Sequence, residues 1–229
     1  MGQKNKLRKF ADNLTFDNLF QFSYEDAVNG IALKGKWARE YFRNDNDIVL
    51  ELGCGKGEYT IGLAELYPNK NFIGIDIKGA RLWKGLKTAK EKSLDNVAFI
   101  RSRINLVDLF FGKNEVSEIW VTFPDPHARD TKAKKRLTSP EFIGRYMRFC
   151  KKDLIINLKT DNIIVFESTL DTIEEYQHKI LFKSYDVYGE GITNEAGSIQ
   201  TFYEQKWLEY GTKIKYLKFK LNPEVYKKQ

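Results

Sequence analysis

The sequence predicts a Rossmann-like, doubly wound α/β fold with a mostly parallel sheet, helices on both faces and an antiparallel late strand. Three observations predict it. Short apolar runs alternate with helical patterns from Ile48 onward, a glycine-rich turn follows the first of these runs, and two long strand patterns occur near the carboxyl terminus. Alternating strands and helices are typical of a parallel sheet covered by helices. The 229 residues suffice for one large domain, or for one domain with a small appendage.

The middle of the chain supplies the parallel part of this sheet. Each predicted strand is a short, mostly apolar run, which is typical of strands buried on both faces. The predicted strands are Ile48–Leu52, Asn71–Ile75, Val97–Arg101, Glu118–Thr122 and Leu154–Leu158. The predicted helices are Glu58–Leu66, Lys78–Lys92, Pro140–Cys150 and Ile163–Glu175.

The two ends of the chain differ from this middle part. Residues 1–20 are polar and basic, so we expect a loose basic arm there and a single domain over residues 21–229. Near the other end, Phe182–Val187 and Gly211–Leu221 are predicted as long strands separated by a loop. Charged and apolar residues alternate over residues 213–220, which predicts one buried and one solvated face. Two adjacent late strands indicate an antiparallel edge.

Composition narrows the function only modestly. The formal net charge of +7 is compatible with nucleic-acid binding but does not establish it. Cys54 and Cys150 form no CxxC pair, and His127 and His178 lie far apart, so we predict no metal site and no disulfide framework. The sequence shows neither a long apolar run nor a signal-peptide pattern. We therefore expect a cytoplasmic protein with no membrane partner.

A glycine-rich turn follows the first predicted strand and indicates a cofactor site. Gly53, Gly55 and Gly57 alternate with other residues, and glycine permits positive φ and close approach of the backbone to a ligand. Asp76 ends the second predicted strand, where a carboxylate can accept both hydroxyls of a ribose. We expect an adenosine-type cofactor. The plainer alternatives are a tight strand-to-helix turn for the glycines and a turn cap for the aspartate.

The acidic residue before the glycines indicates which cofactor is bound. The spacing is G-x-G-x-G rather than the dinucleotide pattern G-x-G-x-x-G. A dinucleotide would place a pyrophosphate near Glu51, and that carboxylate would repel it. S-adenosyl-L-methionine carries an ammonium and a sulfonium, which a carboxylate attracts. We therefore favour S-adenosyl-L-methionine over a dinucleotide.

A second chemistry-bearing segment follows the fourth predicted strand. In Thr122–Pro126, two prolines stiffen the backbone around Asp125 and hold its carboxylate in place. Five cations follow within eleven residues of that carboxylate: Arg129, Lys132, Lys134, Lys135 and Arg136. A fixed carboxylate beside dense positive charge indicates a site that reads a base while its neighbours hold phosphates. The plainer alternative is a solvated basic loop.

With these pieces in place, the chain resembles the bacterial tRNA (guanine-N7)-methyltransferases, a class I S-adenosylmethionine-dependent family that modifies position 46 in the variable loop. The resemblance runs from about Ile48 to the carboxyl terminus and rests on four blocks in order. They are LELGCGKGEYT, FPDP with its KKR run, LKTD ending at Asp161, and TFYEQ starting at Thr201. The first block fits many methyltransferases, whereas the last three, in this order, are much more specific.

The resemblance implies a role for each matching residue. Asp125 corresponds to the acidic residue at the centre of the family's active site, whether it contacts the guanine or the cofactor. The implied cofactor-binding residues are Glu51, Gly53, Gly55, Gly57, Asp76, Arg103, Asn105 and Asp125. The implied substrate-binding residues are Arg129, Asp161, Thr201, Phe202, Tyr203 and Glu204. The implied RNA-contacting residues are Lys132, Lys134, Lys135 and Arg136.

The chain departs from the family pattern at three positions. Arg129 stands where the family often has lysine, and its guanidinium differs from an ammonium in geometry. Arg103 stands where an aspartate or asparagine often lies over the adenine, so either its backbone or Asn105 takes that contact. His127 stands where the family usually has tryptophan.

The implied reaction determines what the carboxylates do. Guanine N7 carries a lone pair and no proton, so its methylation needs positioning and exclusion of water rather than a general base. A carboxylate matches the N1–H and N2 amine donors of guanine, and we expect Asp125 or Asp161 to do so with Glu204 as a helper. The expected partner is tRNA, bound by a monomer or homodimer.

Plainer interpretations stay open at this point. Asp161 follows a predicted strand and could cap the helix near Ile163, and Thr201–Glu204 could be an ordinary edge segment. Two rival functions also remain. One is a methyltransferase of the same fold that acts on another RNA or on a small molecule, and the other is a non-catalytic RNA-binding subunit.

Overall fold

The computed structural model describes residues 3–226. The chain forms two compact units, Met1–Gly112 and Lys113–Gln229. Within residues 3–226, no helix combines the length and the apolar character needed to cross a membrane.

The first unit contains a parallel sheet in the order β1-β4-β3-β2. Its strands are β1 (Leu19–Gln21), β2 (Ile48–Leu52), β3 (Asn71–Asp76) and β4 (Val97–Arg101). Its helices are α1 (Gln3–Asn13), α2 (Tyr24–Asn29), a π-helix at Trp37–Phe42, α3 (Glu58–Leu66), α4 (Gly79–Glu91), a 3₁₀ turn at Ile104–Leu106 and α5 (Val107–Phe110). Because the strands are parallel, their carboxyl ends share one edge, and the glycine-rich turn and Asp76 both lie there.

The core of the first unit explains why these elements form. Every residue of β2 and β3 is buried, as expected for strands covered on both faces. A side chain at Gly74 would place its Cβ 2.7 Å from the hydroxyl of Thr60 and 2.9 Å from the ring of Phe99. Glycine at that position therefore lets the helix layer approach β3 closely. Trp37 is fully buried and donates from its indole nitrogen to the carbonyl of Phe110 at 2.9 Å.

The amino-terminal region differs from the predicted loose arm over residues 1–20. Met1 and Gly2 lie outside the described residues, but the next eleven residues form α1. Asn13 donates to the carbonyl of Gly79 at 2.9 Å, and Asp12 accepts from the indole of Trp83 at 2.8 Å. These polar contacts anchor α1 to α4. The segment has too few apolar residues for its sequence pattern to predict a helix.

The second unit contains a mixed sheet in the order β5-β6-β8-β7. Its strands are β5 (Val116–Thr122), β6 (Cys150–Thr160), β7 (Lys179–Ser184) and β8 (Lys215–Lys220). Its helices are a 3₁₀ helix at Asp130–Lys135, α6 (Pro140–Tyr146), α7 (Ile163–Glu175), α8 (Glu195–Ser198), α9 (Phe202–Glu209) and a 3₁₀ helix at Pro223–Tyr226. β5 and β6 are parallel, whereas β8 is antiparallel to both β6 and β7. The predicted parallel sheet with antiparallel late strands is confirmed.

Some bounds in the second unit differ from the prediction. The helix predicted over Pro140–Cys150 ends at Tyr146, and Cys150 already opens β6. Strand β7 has the predicted length but begins and ends three residues earlier than predicted, and β8 is shorter than predicted at both ends. Helix α9 occupies the segment for which an ordinary edge segment was the plainer alternative. Thr201 explains this helix, because its side chain accepts from the backbone N–H of Glu204 and forms a capping box.

Candidate functional site

The glycine-rich turn in the first unit has a backbone that only glycine adopts readily. The φ angles of Gly53, Gly55 and Gly57 are +78°, +57° and +73°. A side chain at Gly57 would also place its Cβ 2.7 Å from the buried ring of Phe99. The turn is fixed to the sheet, because the N–H of Gly53 donates to the carbonyl of Ile75 at 2.8 Å. The positive φ angles and the tight packing explain why glycine occupies these positions, and such a backbone allows a ligand to approach closely.

Asp76 lies at the carboxyl end of β3 and closes the turn. One carboxylate oxygen accepts from the N–H of Gly55 at 3.0 Å, and the other accepts from the N–H of Lys78 at 2.7 Å. A carboxylate offers about four acceptor positions, so these two bonds leave capacity for the hydroxyls of a ribose. The turn-cap interpretation and the ribose interpretation are thus compatible.

Glu51 is buried, and its carboxylate holds the start of the following helix. One of its oxygens accepts from both the N–H and the hydroxyl of Thr60, at 2.7 and 2.5 Å. Burial raises the pKa of the Cys54 thiol well above its ordinary value, and the charges of Glu51 and Asp76 raise it further. The glycine-rich turn therefore combines a backbone that a ligand can approach closely with the negative charge of two carboxylates. This environment suits a cationic ligand that carries a ribose and disfavours a pyrophosphate, so the residues fit S-adenosyl-L-methionine.

Arg103 and Asn105 follow β4 and line a cavity of about 560 Å³. Ile77, directly after Asp76, lines the same cavity and is 51% exposed. The structure thus brings the two residues predicted for the adenine to one cavity, next to the residue predicted for the ribose.

The turn that carries Asp125 follows β5 in the second unit. Asp125 is exposed, and residues on both sides of it are held in a left-handed conformation, with φ of +48° at Phe123 and +41° at His127. Non-glycine residues rarely adopt such φ angles, and the residues that do adopt them cluster at functional sites. The N–H of Phe123 donates to the carbonyl of Lys159 at 2.8 Å, which ties the turn to β6.

Arg136 anchors the same turn. It is buried, and its guanidinium donates to the carbonyls of Pro126 and His127 at 3.3 and 3.2 Å. Sequence reasoning grouped Arg136 with the RNA-contacting cations, but the structure places its side chain beneath the turn. The other basic residues near this turn are exposed, namely Arg129, Lys132, Lys134 and Lys135.

Asp161 follows β6, and β6 is parallel to β5, so Asp161 and Asp125 leave the same edge of this sheet. The cap of α7 is Asn162, whose side chain accepts from the N–H of Val165 at 3.2 Å. The N-cap alternative therefore belongs to the neighbouring residue. The backbone carbonyl of Asp161 accepts from the ammonium of Lys215 at 3.0 Å, which fixes the segment.

The four residues predicted to bind substrate at Thr201–Glu204 divide into two pairs. Phe202 and Tyr203 are 42% and 46% exposed. Thr201 and Glu204 are buried and share the capping box at the start of α9. Glu204 is fully buried beneath the helix that Phe202 begins.

A buried charged cluster surrounds Glu204. Its carboxylate forms an ion pair with the ammonium of Lys159, and both side chains are fully buried. The hydroxyl of Tyr188 donates to the same carboxylate at 2.7 Å, and Lys159 donates to the carbonyl of Ile199 at 3.1 Å. Burial lowers the pKa of Lys159 to about 8, against the opposing effect of the Glu204 charge. Sequence reasoning missed the role of Lys159, although the LKTD block contains it.

Metal ligation has no counterpart in the described part of the chain. No group of three or more histidine, cysteine, aspartate or glutamate side chains in residues 3–226 is arranged to hold a metal ion.

Comparison with known proteins places this geometry in context. A family model described as a putative methyltransferase matches residues 45–217. A tRNA (guanine-N(7)-)-methyltransferase of Christiangramia forsetii is 52% identical over 223 residues, covering 96% of this chain and 100% of the relative. The enzyme of that name from Bacteroides thetaiotaomicron is 48% identical and covers 96% of this chain and 87% of the relative. That from Clostridium novyi is 38% identical and covers 82% and 87%.

Solved structures share the fold at much lower identity. The 16S rRNA methyltransferase KamB superposes with a TM-score of 0.62 at 16% identity, covering 83% of this chain and 95% of that chain. An antibiotic-related methyltransferase gives 0.59 at 18% identity, covering 83% and 94%. These likenesses concern the fold alone, and they confirm the predicted doubly wound α/β fold class.

Proposed function

Because the chain belongs to the tRNA (guanine-N(7)-)-methyltransferase family, we propose that it methylates N7 of guanine at position 46 of tRNA, forming 7-methylguanosine. The observation that carries the proposal is the identity to relatives of that name along nearly the whole chain. The glycine-rich turn with its two carboxylates and the turn around Asp125 support the proposal.

S-adenosyl-L-methionine is the cofactor, and when bound it supplies an electrophilic methyl group on a sulfonium. The backbone of the glycine-rich turn approaches it, and Asp76 accepts hydrogen bonds from its ribose. Glu51 supplies negative charge below the turn, which favours the cationic amino-acid portion. Arg103 and Asn105 contact the adenine from the cavity that they line. The glycines that give the turn its shape are Gly53, Gly55 and Gly57.

The carboxylates of the second unit orient the base rather than remove a proton. Guanine N7 is nucleophilic as it stands, so the protein has to hold the base and exclude water. Asp125 and Asp161 are the candidates to accept from N1–H and the N2 amine. Asp125 also stabilises the positive charge that methylation creates on the base. Glu204 supports the segment that carries Phe202 and Tyr203, and these two contact the substrate.

Binding of tRNA rests mainly on charge. The exposed cations Arg129, Lys132, Lys134 and Lys135 contact phosphates, and the target base is turned out of its stack to reach Asp125. Arg136 contributes by holding the Asp125 turn in shape. We place the enzyme in the cytoplasm as a monomer or homodimer. Affinity for tRNA should fall steeply as salt concentration rises, and binding that barely changes would contradict this charge-based recognition.

The test is methyl transfer from labelled S-adenosyl-L-methionine to unmodified tRNA, followed by nucleoside analysis. Wild type should form 7-methylguanosine, and Asp125→Ala should lose most of the activity. Asp130→Ala is the matched control, because Asp130 is an exposed carboxylate in the neighbouring 3₁₀ helix. Wild type that binds cofactor but labels no tRNA would point to another acceptor. Failure to bind cofactor, measured by calorimetry, would point to a non-catalytic RNA-binding subunit.

A further inference from the structure

The cavity lined by Arg103 and Asn105 has a wall that comes from a distant part of the sequence. Besides residues after β4 and Ile77, it is lined by the four consecutive residues Gln21–Tyr24. This segment lies upstream of residues 45–217, which the methyltransferase family model matches. We propose that Gln21–Tyr24 forms one side of the cofactor's adenine pocket, with Tyr24 as the ring that covers the base. The inference rests on the proposed function, because it takes S-adenosyl-L-methionine as the cofactor.

The position of the cavity agrees with this assignment. In a nucleoside the base is joined directly to the ribose, so the adenine pocket has to begin next to the residue that holds the ribose. Ile77 lines the cavity and directly follows Asp76, the residue assigned to the ribose. The N–H of Ser102, which also lines the cavity, donates to the backbone carbonyl of Asp76 at 3.2 Å. The candidate ribose site and the cavity are therefore built on the same backbone segments, the ends of β3 and β4.

The wall segment is held in place by contacts inside the first unit. Strand β1 pairs with β4 so that Gln21 lies opposite Arg101, and the Arg101 guanidinium donates to the Gln21 side chain at 2.9 Å. The ring of Phe22 stacks on the fully buried ring of Phe110, with 5.4 Å between centroids. A third anchor comes from the start of α2, where Ser23 forms a capping box with the third residue of the helix. Tyr24 follows directly as the first residue of α2, so its backbone is held at the edge of the cavity.

The chemistry of the lining suits a purine. An adenine base has flat apolar faces and a polar edge. Tyr24 is 70% exposed and Ile77 is 51% exposed, so both present apolar surface that a bound base would cover. Arg103 and Asn105 supply polar groups for the edge of the base. A pyrophosphate is charged and would gain little from these apolar surfaces.

Calorimetry with S-adenosylhomocysteine tests the proposal independently of catalysis. Tyr24→Ala should raise Kd about tenfold, within the range of about 5- to 150-fold for removing an aromatic ring that stacks on a base. Tyr24→Phe keeps the ring and should bind within about twofold of wild type. The matched control is Tyr210→Ala, which removes a ring that is 79% exposed in the second unit and should leave Kd unchanged.

A truncated probe locates the effect at the adenine end. 5′-Methylthioadenosine carries the adenosine but lacks the amino-acid portion, so Tyr24→Ala should weaken it by the same factor. Circular dichroism and thermal unfolding should match wild type, because Tyr24 makes little buried contact. Wild-type affinity in Tyr24→Ala, with tRNA methylation intact, would overturn this inference alone. A wild-type protein that binds neither probe would overturn the inference together with the proposed function.

Discussion

Removing the charge of Glu204 tests whether the buried cluster supports the second unit. Glu204→Gln keeps the length of the side chain, and glutamine can still close the capping box with Thr201. What it removes is the negative partner of Lys159, whose side chain is fully buried. Breaking a buried ion pair from one side leaves an uncompensated charge and costs about 3–5 kcal/mol. In a chain of this size that corresponds to a fall in the unfolding midpoint of about 6–20 °C.

The pH dependence of the loss carries a specific sign. Burial already lowers the pKa of Lys159 from its ordinary value of 10.5 to about 8, and the Glu204 charge opposes that effect. Without the carboxylate, the pKa of Lys159 in the folded protein falls further. Between that pKa and 10.5 the unfolded chain binds the additional proton, so stability rises with pH in this window. The deficit of Glu204→Gln against wild type should therefore shrink as the pH rises towards about 8, the pKa of Lys159 in wild type, and stay constant above it.

The assay is thermal and urea unfolding of both proteins at pH values below and above about 8, with Glu40→Gln as the matched control. Glu40 pairs with Lys36 at 3.1 Å on an exposed surface, so the same substitution there should cost less than about 1 kcal/mol. Combining Glu204→Gln with Lys159→Met should recover part of the loss, since no buried charge remains. A loss no larger than that of the control, or one that grows as pH rises, would refute the reasoning.

Three further outcomes follow from the cofactor turn and the cysteines. Gly57→Ala should lower the free energy of unfolding by about 1–3 kcal/mol, because the φ angle of Gly57 is +73°. Gly144→Ala is the control, because a Cβ there meets open space, and it should leave the stability of α6 unchanged or raise it. Equal effects of the two substitutions in thermal unfolding would contradict this account. Asp76→Asn should weaken S-adenosylhomocysteine binding about tenfold or more in calorimetry, and unchanged affinity would contradict the ribose assignment. Burial raises the pKa of Cys54 and Cys150, so a thiol reagent should label neither until urea unfolds the chain; fast native labelling would contradict their burial.

The parallel strands could be predicted because burial on both faces of a strand leaves a recognisable sequence pattern. Strands covered on both faces need apolar residues at nearly every position, and β2 and β4 have the predicted bounds. Strand β1 escaped prediction, because it has three residues in a polar context and forms by pairing with the edge of β4. Helix α9 had a readable signal, since Thr201 and Glu204 have the spacing of a capping box. That spacing was interpreted only as part of a family block.

The sequence predicted the parts of the candidate site that depend on backbone conformation. It did not predict the parts that depend on the direction in which a side chain points. The alternating glycines predict the turn, because only glycine adopts the positive φ angles at these positions without strain. Nothing in the KKR run distinguishes Arg136 from its neighbours, because a charge in a loop carries no information about which way it points. Its burial follows from the carbonyls of Pro126 and His127, which a guanidinium can bind together.

Glu204 and Lys159 show why blocks shared by a family mix contact residues with supporting ones. The two residues belong to separate blocks, and each looks like a charged residue available to a substrate. The fold instead joins them to each other, and their buried ion pair links β6, which Asp161 follows, to the start of α9, where Phe202 lies. A buried charge is tolerated only when its partner is present, so substitution of either residue would disturb both blocks. Loss of activity in such a variant would therefore not by itself identify a substrate contact.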